Sequence, residues 1–124
     1  MSEFVEFLKE VFIDFGEIHG RKMFGGYGIY HKGVMFGLVA DDTLYLKVDT
    51  DSVKEFEAKG LGPFEYNNGK KVIKMSYSLA PEEILDDPQD AAIWARRAYK
   101  VALHSKTKTK AKGEKSSRKR TQNR

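Results

Sequence analysis

An alternation of apolar and polar residues, interrupted by glycines, runs through residues 21–49 and constrains the fold more than any other part of the chain. The apolar runs in it have the length of strands, and the connections at residues 31–33 and 41–42 have the length of hairpin turns. Because successive side chains of a strand point to opposite faces, this alternation predicts strands with one buried face. We therefore expect three or four short antiparallel strands joined by tight turns.

Two of these strands have a clear apolar face. The faces predicted to be buried consist of Val34, Phe36, Leu38 and Ala40 in one strand, and of Leu44, Leu46 and Val48 in the next. Gly37 lies inside the first of them, and a glycine within a strand typically marks a bulge, a bend or a close approach of two backbones.

Helices are predicted on both sides of this stretch. Apolar residues at helical spacing predict an amphipathic helix over about residues 2–15. Ser52 and Glu55 have the spacing of a capping box, which predicts a second helix that ends near Gly60. Asp87 is the expected N-cap of a last helix that begins at Pro88.

A hairpin is predicted between the second and the last helix. The Asn67-Asn68-Gly69 sequence is a strong turn signal, and alternating residues follow it. The inward positions predicted for the second strand are Ile73, Met75, Tyr77 and Leu79. Together the elements predict an α+β fold of two layers, with a mainly antiparallel sheet of five to six strands and helices packed on one face.

Charge divides the chain of 124 residues into two parts. Residues 1–104 have a net charge of −4 and form the predicted folded domain, whereas residues 105–124 have a net charge of +8. The second part contains almost no apolar residues, so we expect a disordered basic tail. The chain contains no cysteine and no apolar run of membrane-spanning length, so we expect a cytoplasmic protein that does not contact membranes.

The tail is the first candidate for a functional site. Cationic side chains that displace counterions from a polyanion bind nucleic acid without reading its sequence. The residues predicted to make such contacts are Lys106, Lys108, Lys110, Lys112, Arg118, Lys119 and Arg120. A terminus that serves only solubility is the competing interpretation.

The sheet face opposite the helices is the second candidate. Tyrosine and arginine are favoured at protein interfaces, and this face is expected to lack a helical cover. The residues predicted on it are Arg21, Tyr30, Tyr45, Lys47, Lys74 and Ser76. Two hypotheses stay open for the face: that it docks a protein partner such as a transcription regulator, or that it joins two copies in a homodimer. An ordinary amphipathic surface is the competing interpretation.

No pattern of residues predicts catalysis. The cluster Gly25-Gly26-Tyr27-Gly28 lacks the Lys-Ser/Thr of a phosphate-binding loop, and His19, His31 and His104 do not have metal-ligand spacing. His31 is expected to lie exposed in a turn. We therefore expect no enzyme, no cofactor and no metal. The alternative is a small-molecule-binding or enzymatic domain with a pocket near the glycine-rich strands.

Residues 3–100 resemble the N-terminal domain of the TfoX/Sxy family of bacterial competence regulators. The segments that carry the resemblance are RKMFGG at residues 21–26, FGL at 36–38, LYLKVD at 44–49, MSY at 75–77, PEE at 81–83, Asp87-Pro88 and Trp94-Ala95. The resemblance implies a non-enzymatic domain of helices and antiparallel sheet, whose best-known members activate competence genes together with the cyclic-AMP receptor protein. Those regulators have a second, helical domain, whereas a lysine-rich segment follows Leu103 here.

Overall fold

The computed structural model of the protein describes residues 2–23, 25–67 and 69–118, and residues 106–118 by their backbone alone. Within these described residues, three α-helices, six strands and one short 3₁₀ helix follow one another. In order they are α1 (Glu3–Val11), β1 (His19–Met23), β2 (Gly26–His31), β3 (Val34–Ala40), β4 (Thr43–Lys47), α2 (Ser52–Ala58), β5 (Pro63–Asn67), β6 (Val72–Leu79), the 3₁₀ helix Glu82–Asp86, and α3 (Pro88–Arg118).

The strands form one open sheet in the order β1-β2-β3-β4-β6-β5. Each neighbouring pair is antiparallel, so β1 to β4 form a meander and the β5–β6 hairpin joins it through β6. This confirms the predicted α+β class and the predicted hairpin. The short connections between consecutive strands explain the antiparallel arrangement, because a parallel pair needs a long crossover.

The helices pack against one face of the sheet and enclose the main core. Phe36 of β3 and Leu46 of β4 are fully buried there beneath Leu8 of α1 and Phe12, which follows α1. The Phe12 and Phe36 rings meet edge to face, with 5.8 Å between their centroids. Trp94 of α3 joins the same core. Burying each such side chain stabilises the fold by roughly 1.5–3 kcal/mol.

A bulge in β3 overturns the face predicted for that strand. Ile29 of β2 is opposite Gly37, but the next residue, Tyr30, is opposite Met35, so Phe36 is an extra residue on β3. The bulge reverses the alternation, so that Phe36 and Val39 lie in the helix-covered core. Leu38 and Ala40, which were expected on the same face as Val34 and Phe36, lie on the other face. The prediction for β4 is confirmed, since Leu44, Leu46 and Val48 all belong to the main core.

The prediction for β6 was also wrong about which face is covered. Ser78 lies directly opposite Leu46 of β4, and residues that oppose each other in a ladder share a face. Because Leu46 is in the helix-covered core, Ser78 is buried there as well, and its Oγ has no hydrogen-bond partner in the described part of the chain. Tyr77 and Met75 therefore belong to the face that no described helix covers.

The start of α2 is capped by other residues than predicted. The Asp49 amide donates to Ser52 Oγ at 3.0 Å, and Asp49 Oδ1 accepts the Ser52 amide at 2.7 Å. Glu55, the expected partner of Ser52, instead forms an ion pair with Arg97 of α3. The N-cap of α3 was predicted correctly, because Asp87 Oδ1 accepts the Asp90 amide at 3.2 Å.

Helix ends and one turn also differ from the predictions. α1 ends at Val11, and turns replace the predicted helix as far as Phe15. His31 is not exposed: it is partly buried at the end of β2, where its Nδ1 lies 2.7 Å from the Glu17 carbonyl oxygen and its ring contacts Phe15 and Tyr99. α3 continues past residue 104 to Arg118. The division into a folded domain over residues 1–104 and a disordered tail over residues 105–124 stays a prediction.

Candidate functional site

The sheet face without helices carries its own apolar cluster, which we call the open face. It consists of Leu38, Phe64 and Tyr77, which are buried, and of Met23, Met35, Ala40, Tyr45, Tyr66 and Met75, which are partly buried. All of these residues lie in strands, and in the described chain no helical residue belongs to the cluster. The side chains that would otherwise form a solvated sheet surface therefore form a second apolar layer.

Gly28 explains how two methionines converge at the centre of this layer. A Cβ atom at Gly28 would lie 2.9 Å from Met23 Sδ and 3.0 Å from Met35 Sδ. The missing side chain leaves room for both thioethers against the sheet. Three of the four methionines in the sequence belong to the open face, and methionine adapts its shape easily because it is unbranched and polarisable.

Arg21 and Tyr30 meet at one end of the open face. The guanidinium carbon of Arg21 lies 5.3 Å from the centroid of the Tyr30 ring, within the range of a cation–π contact. β1 and β2 pair so that Arg21 is opposite Gly28, which has no side chain to separate Arg21 from Tyr30. The contact places an exposed cation next to the methionines.

Lys47 is the second cation and lies at the edge of the open face, where it alternates with Leu46 of the main core and also lines the recess between α2 and α3. Its Nζ donates to Ser76 Oγ at 2.6 Å and lies 5.2 Å from the centroid of the Tyr77 ring. Partial burial lowers the pKa of Lys47, whereas the charge of Asp49 acts in the opposite direction. Burial also raises the pKa of Tyr77 to about 12, and the neighbouring Tyr30 adds to this increase. Tyr77 therefore stays neutral at physiological pH.

Asp49 is the carboxylate that acts on Lys47, and it is already engaged in the cap of α2. Its Oδ1 accepts the amides of Ser52 at 2.7 Å and of Asp51 at 3.0 Å. These hydrogen bonds to Ser52 are the main reason why the pKa of Asp49 is lowered. Asp49 Oδ1 is thus occupied by backbone amides, and no direct hydrogen bond joins Asp49 to Lys47 in the described part of the chain.

The structure brings together most of the residues that were predicted on this face. Arg21 contacts Tyr30, Lys47 contacts Ser76, and the Tyr45 ring packs on Phe64 with 5.1 Å between the centroids. The prediction was wrong for Lys74 and Ser76, because both alternate with Met75 and Tyr77 of the cluster to the other side of β6. Lys74 is exposed there opposite Glu65 of β5, and Ser76 is paired with Val48 of the main core. That these residues bind a protein or a second copy stays a prediction.

The apolar centre of the open face was not predicted from the sequence. Met23, Met35, Leu38, Phe64 and Tyr77 were not predicted as site residues, although their neighbours were. The signal was present in the glycines: Gly37 accompanies the bulge that turns Leu38 outward, and Gly28 leaves room for the methionines. Neither effect can be read from alternation alone.

The basic segment is described by its backbone. Lys106, Lys108, Lys110, Lys112 and Arg118 lie in the last part of α3, and Lys119 and Arg120 lie outside the described residues. Nucleic-acid contact by this segment stays a prediction.

Several recesses lie in the described part of the chain, among them a small one between α2 and α3 that is lined by Lys47, Ser52, Phe56, Trp94, Arg97, Ala98 and Val101. An open recess of about 450 Å³ lies beside the β1–β2 turn and is lined by Lys22, Met23, Gly25, Gly26 and Tyr27. A cavity of about 190 Å³ lies between α1, β4 and the 3₁₀ helix. Its lining residues are Phe4, Asp42, Thr43, Leu44, Leu61, Leu79, Ala80, Pro81, Glu82 and Leu85.

Two features are absent from the residues that are described. Among them, no three histidine, aspartate or glutamate side chains converge in a way that could hold a metal ion. None of the described helices combines the length and the apolar composition that crossing a membrane requires.

The fold and the open face define a small two-layer α+β domain with helices on one side of an antiparallel sheet. The chain belongs to the TfoX N-terminal domain family, which it matches over residues 10–102. It is similar to the DNA transformation protein TfoX1 of Aliivibrio fischeri (strain ATCC 700601 / ES114), with 29% identity over 76 residues. This match covers 61% of the chain and 34% of the relative, so the chain spans about a third of that relative's length.

Proposed function

We propose that the protein is a non-enzymatic regulatory adaptor of the competence-regulator type, which acts in the cytoplasm. In this proposal the folded domain binds a protein partner such as a transcription regulator, and the basic segment adds nonspecific contact with nucleic acid. Membership of the TfoX N-terminal domain family is the observation that carries the proposal. The name of the relative, DNA transformation protein TfoX1, points to the same process.

The distribution of charge supports separate roles for the folded domain and the basic segment. The body has a net charge of −4 and repels a polyanion, whereas residues 105–124 have a net charge of +8 and attract one. Protein contact and nucleic-acid contact are therefore assigned to different parts of the chain. A small-molecule function would use the recess beside the β1–β2 turn, but the charged residue in its lining is Lys22, with no carboxylate or histidine beside it in that lining.

Affinity purification of the full chain from the cells that produce it tests the adaptor function. We expect a protein partner that stays bound after nuclease treatment, because the folded domain makes that contact directly. If nuclease removes every co-purified protein, the adaptor proposal is wrong.

The nucleic-acid part is tested by replacing Lys106, Lys108, Lys110 and Lys112 with glutamine and measuring DNA affinity against salt concentration. Each lost phosphate contact should reduce the slope of log affinity against log salt by about 0.9. The matched control replaces Lys54 and Lys59, which are exposed on or next to α2, and should leave the slope unchanged. Equal slopes for the two variants would contradict a role for the tail.

A further inference from the structure

We propose that the open face is the docking site for an amphipathic segment of a protein partner that presents apolar side chains together with carboxylates. This inference rests on the proposed adaptor function and names the chemistry of the partner. Three observations carry it: the composition of the cluster, its charges and the absence of a helical cover in the described residues.

The composition of the open face is that of an interface. Tyrosine and methionine are enriched where proteins meet, because tyrosine offers a large apolar body with a polar tip and methionine adapts to different partners. Met23, Met35 and Met75 are partly exposed here together with Tyr45 and Tyr66. The helix-covered face of the same strands has instead the aliphatic and phenylalanine side chains of a permanent core.

The charges of the open face are all positive. Arg21 and Lys47 lie at its margins, and none of the described strand residues whose side chains lie on this face is acidic. Glu65 alternates to the opposite side between Phe64 and Tyr66 of the cluster. Asp49, near Lys47, is engaged in capping α2. A partner with carboxylates beside an apolar stripe is therefore complementary to the face.

The same charges argue against a second copy of this chain as the occupant. In a two-fold symmetric interface the same surface meets itself, so each copy would bring two cations and no strand carboxylate to the other. Like charges placed together in a desolvated interface are unfavourable. An acidic partner relieves this repulsion and also accepts a hydrogen bond from Lys47, whose Nζ is already held in place by Ser76 Oγ.

The methionines of the protein provide the measurement. Three of the four lie on the open face, so methyl-labelled methionine in the full chain gives three reporters there and Met1 as a further signal. The probes are three synthetic peptides: an amphipathic helix of leucine, alanine and glutamate, a twin with lysine in place of glutamate, and a scrambled acidic peptide without an apolar stripe. Methyl NMR spectra are recorded during titration with each peptide.

We expect the acidic amphipathic peptide to shift the signals of Met23, Met35 and Met75, and the other two peptides to leave them in place. Lys47→Gln should weaken binding of the acidic peptide by about fivefold, the upper range for a partly exposed ion pair. Lys74→Gln removes a lysine that is outside the cluster and should change nothing. The methionine spectrum of each variant without peptide verifies that it is folded.

Three outcomes would overturn the inference. Equal binding of the basic twin would show that charge plays no part, and unshifted methionines with every peptide would show that the face does not dock such segments. Methionine signals that depend on protein concentration, with a doubled mass in sedimentation, would identify a second copy as the occupant. The adaptor function fails by a different result, the loss of all protein partners after nuclease treatment, so the two failures are distinguishable.

Discussion

The two faces of this sheet are built by the same strands but differ in composition and in burial. The helix-covered face contains fully buried side chains such as Ile29, Phe36 and Leu46. The open face contains methionines and tyrosines that are mostly only partly buried. Because both faces are apolar, the sheet resembles one that is covered on both sides, although the described helices cover only one. This difference is what the proposed docking at the open face requires, with permanent packing on one face and reversible contact on the other.

The largest difference in stability is expected between substitutions of two adjacent residues of β3 that point to opposite faces. Phe36→Ala removes a fully buried ring that contacts Phe12 and Phe15, and should lower the free energy of unfolding by about 4 kcal/mol. Met35→Ala acts on the partly exposed open face and should lower it by about 1 kcal/mol. Urea denaturation measures both. Equal losses would mean that the open face is part of the structural core.

Two glycines of β2 differ in whether the atoms around them can move to admit a side chain. A Cβ atom at Gly26 would lie 1.9 Å from the Val39 carbonyl oxygen, which belongs to the backbone and cannot move aside. Gly26→Ala should therefore cost about 3 kcal/mol of unfolding free energy. Gly28→Ala meets the flexible ends of Met23 and Met35 and should cost less than about 1 kcal/mol. Thermal or urea unfolding that ranks them in the opposite order would contradict the adaptability of the open face.

Alkaline pH acts on the open face through Tyr77. Its pKa rises from 10.0 to about 12 in the folded protein, so between these values the unfolded chain releases a proton that the folded chain keeps. The contribution of Tyr77 to the free energy of unfolding is therefore fully present below pH 10. The free energy of unfolding then falls as the pH rises towards 12, by up to about 2 kcal/mol. Unfolding measured across this range should show the decrease, and Tyr77→Phe should remove this contribution. A wild-type curve identical to that of the variant would contradict the burial of the hydroxyl group.

The smallest expected effect lies on the helical side. Glu55 of α2 and Arg97 of α3 form an ion pair, and Arg97 also lies 4.9 Å from the centroid of the Trp94 ring. Arg97→Gln should lower the free energy of unfolding by about 0.5–1 kcal/mol, because both partners are partly exposed. The loss should shrink at high salt. Binding at the open face should not change, and a change there would mean that the two sides of the sheet are coupled.

The fold class could be predicted because strand alternation, turn signals and helix caps are local. Asp87 before Pro88 and the Asn67-Asn68-Gly69 turn each act within a few residues, and both were interpreted correctly. The alternation of β4 also sufficed, because that strand has no irregularity.

The faces of β3 and β6 could not be predicted because they depend on partners far away in the sequence. One extra residue at Phe36 reverses the phase of β3, and the pairing with Leu46 decides which side of β6 the helices cover. The cap of α2 could not be predicted for the same reason, because Glu55 forms an ion pair with Arg97 of another helix. Asp49, and not Glu55, forms the capping hydrogen bond with Ser52. The charged residues at the margin of the open face could be predicted from their residue types. The methionines at its centre could be placed only once the pairing register of the strands was known.

The bulge at Phe36 has a consequence for how sequences of this family can diverge. β3 consists of two halves in opposite phase, and Phe36 is the extra residue between them, so a strand without Phe36 would alternate regularly and still place Leu38 on the open face and Val39 beneath the helices. Straightening β3 at its full length would instead exchange the faces of Leu38 and Val39. Relatives with a β3 of the same length should accordingly keep the bulge, whereas relatives that are one residue shorter at this point should keep both faces and lack only the ring of Phe36.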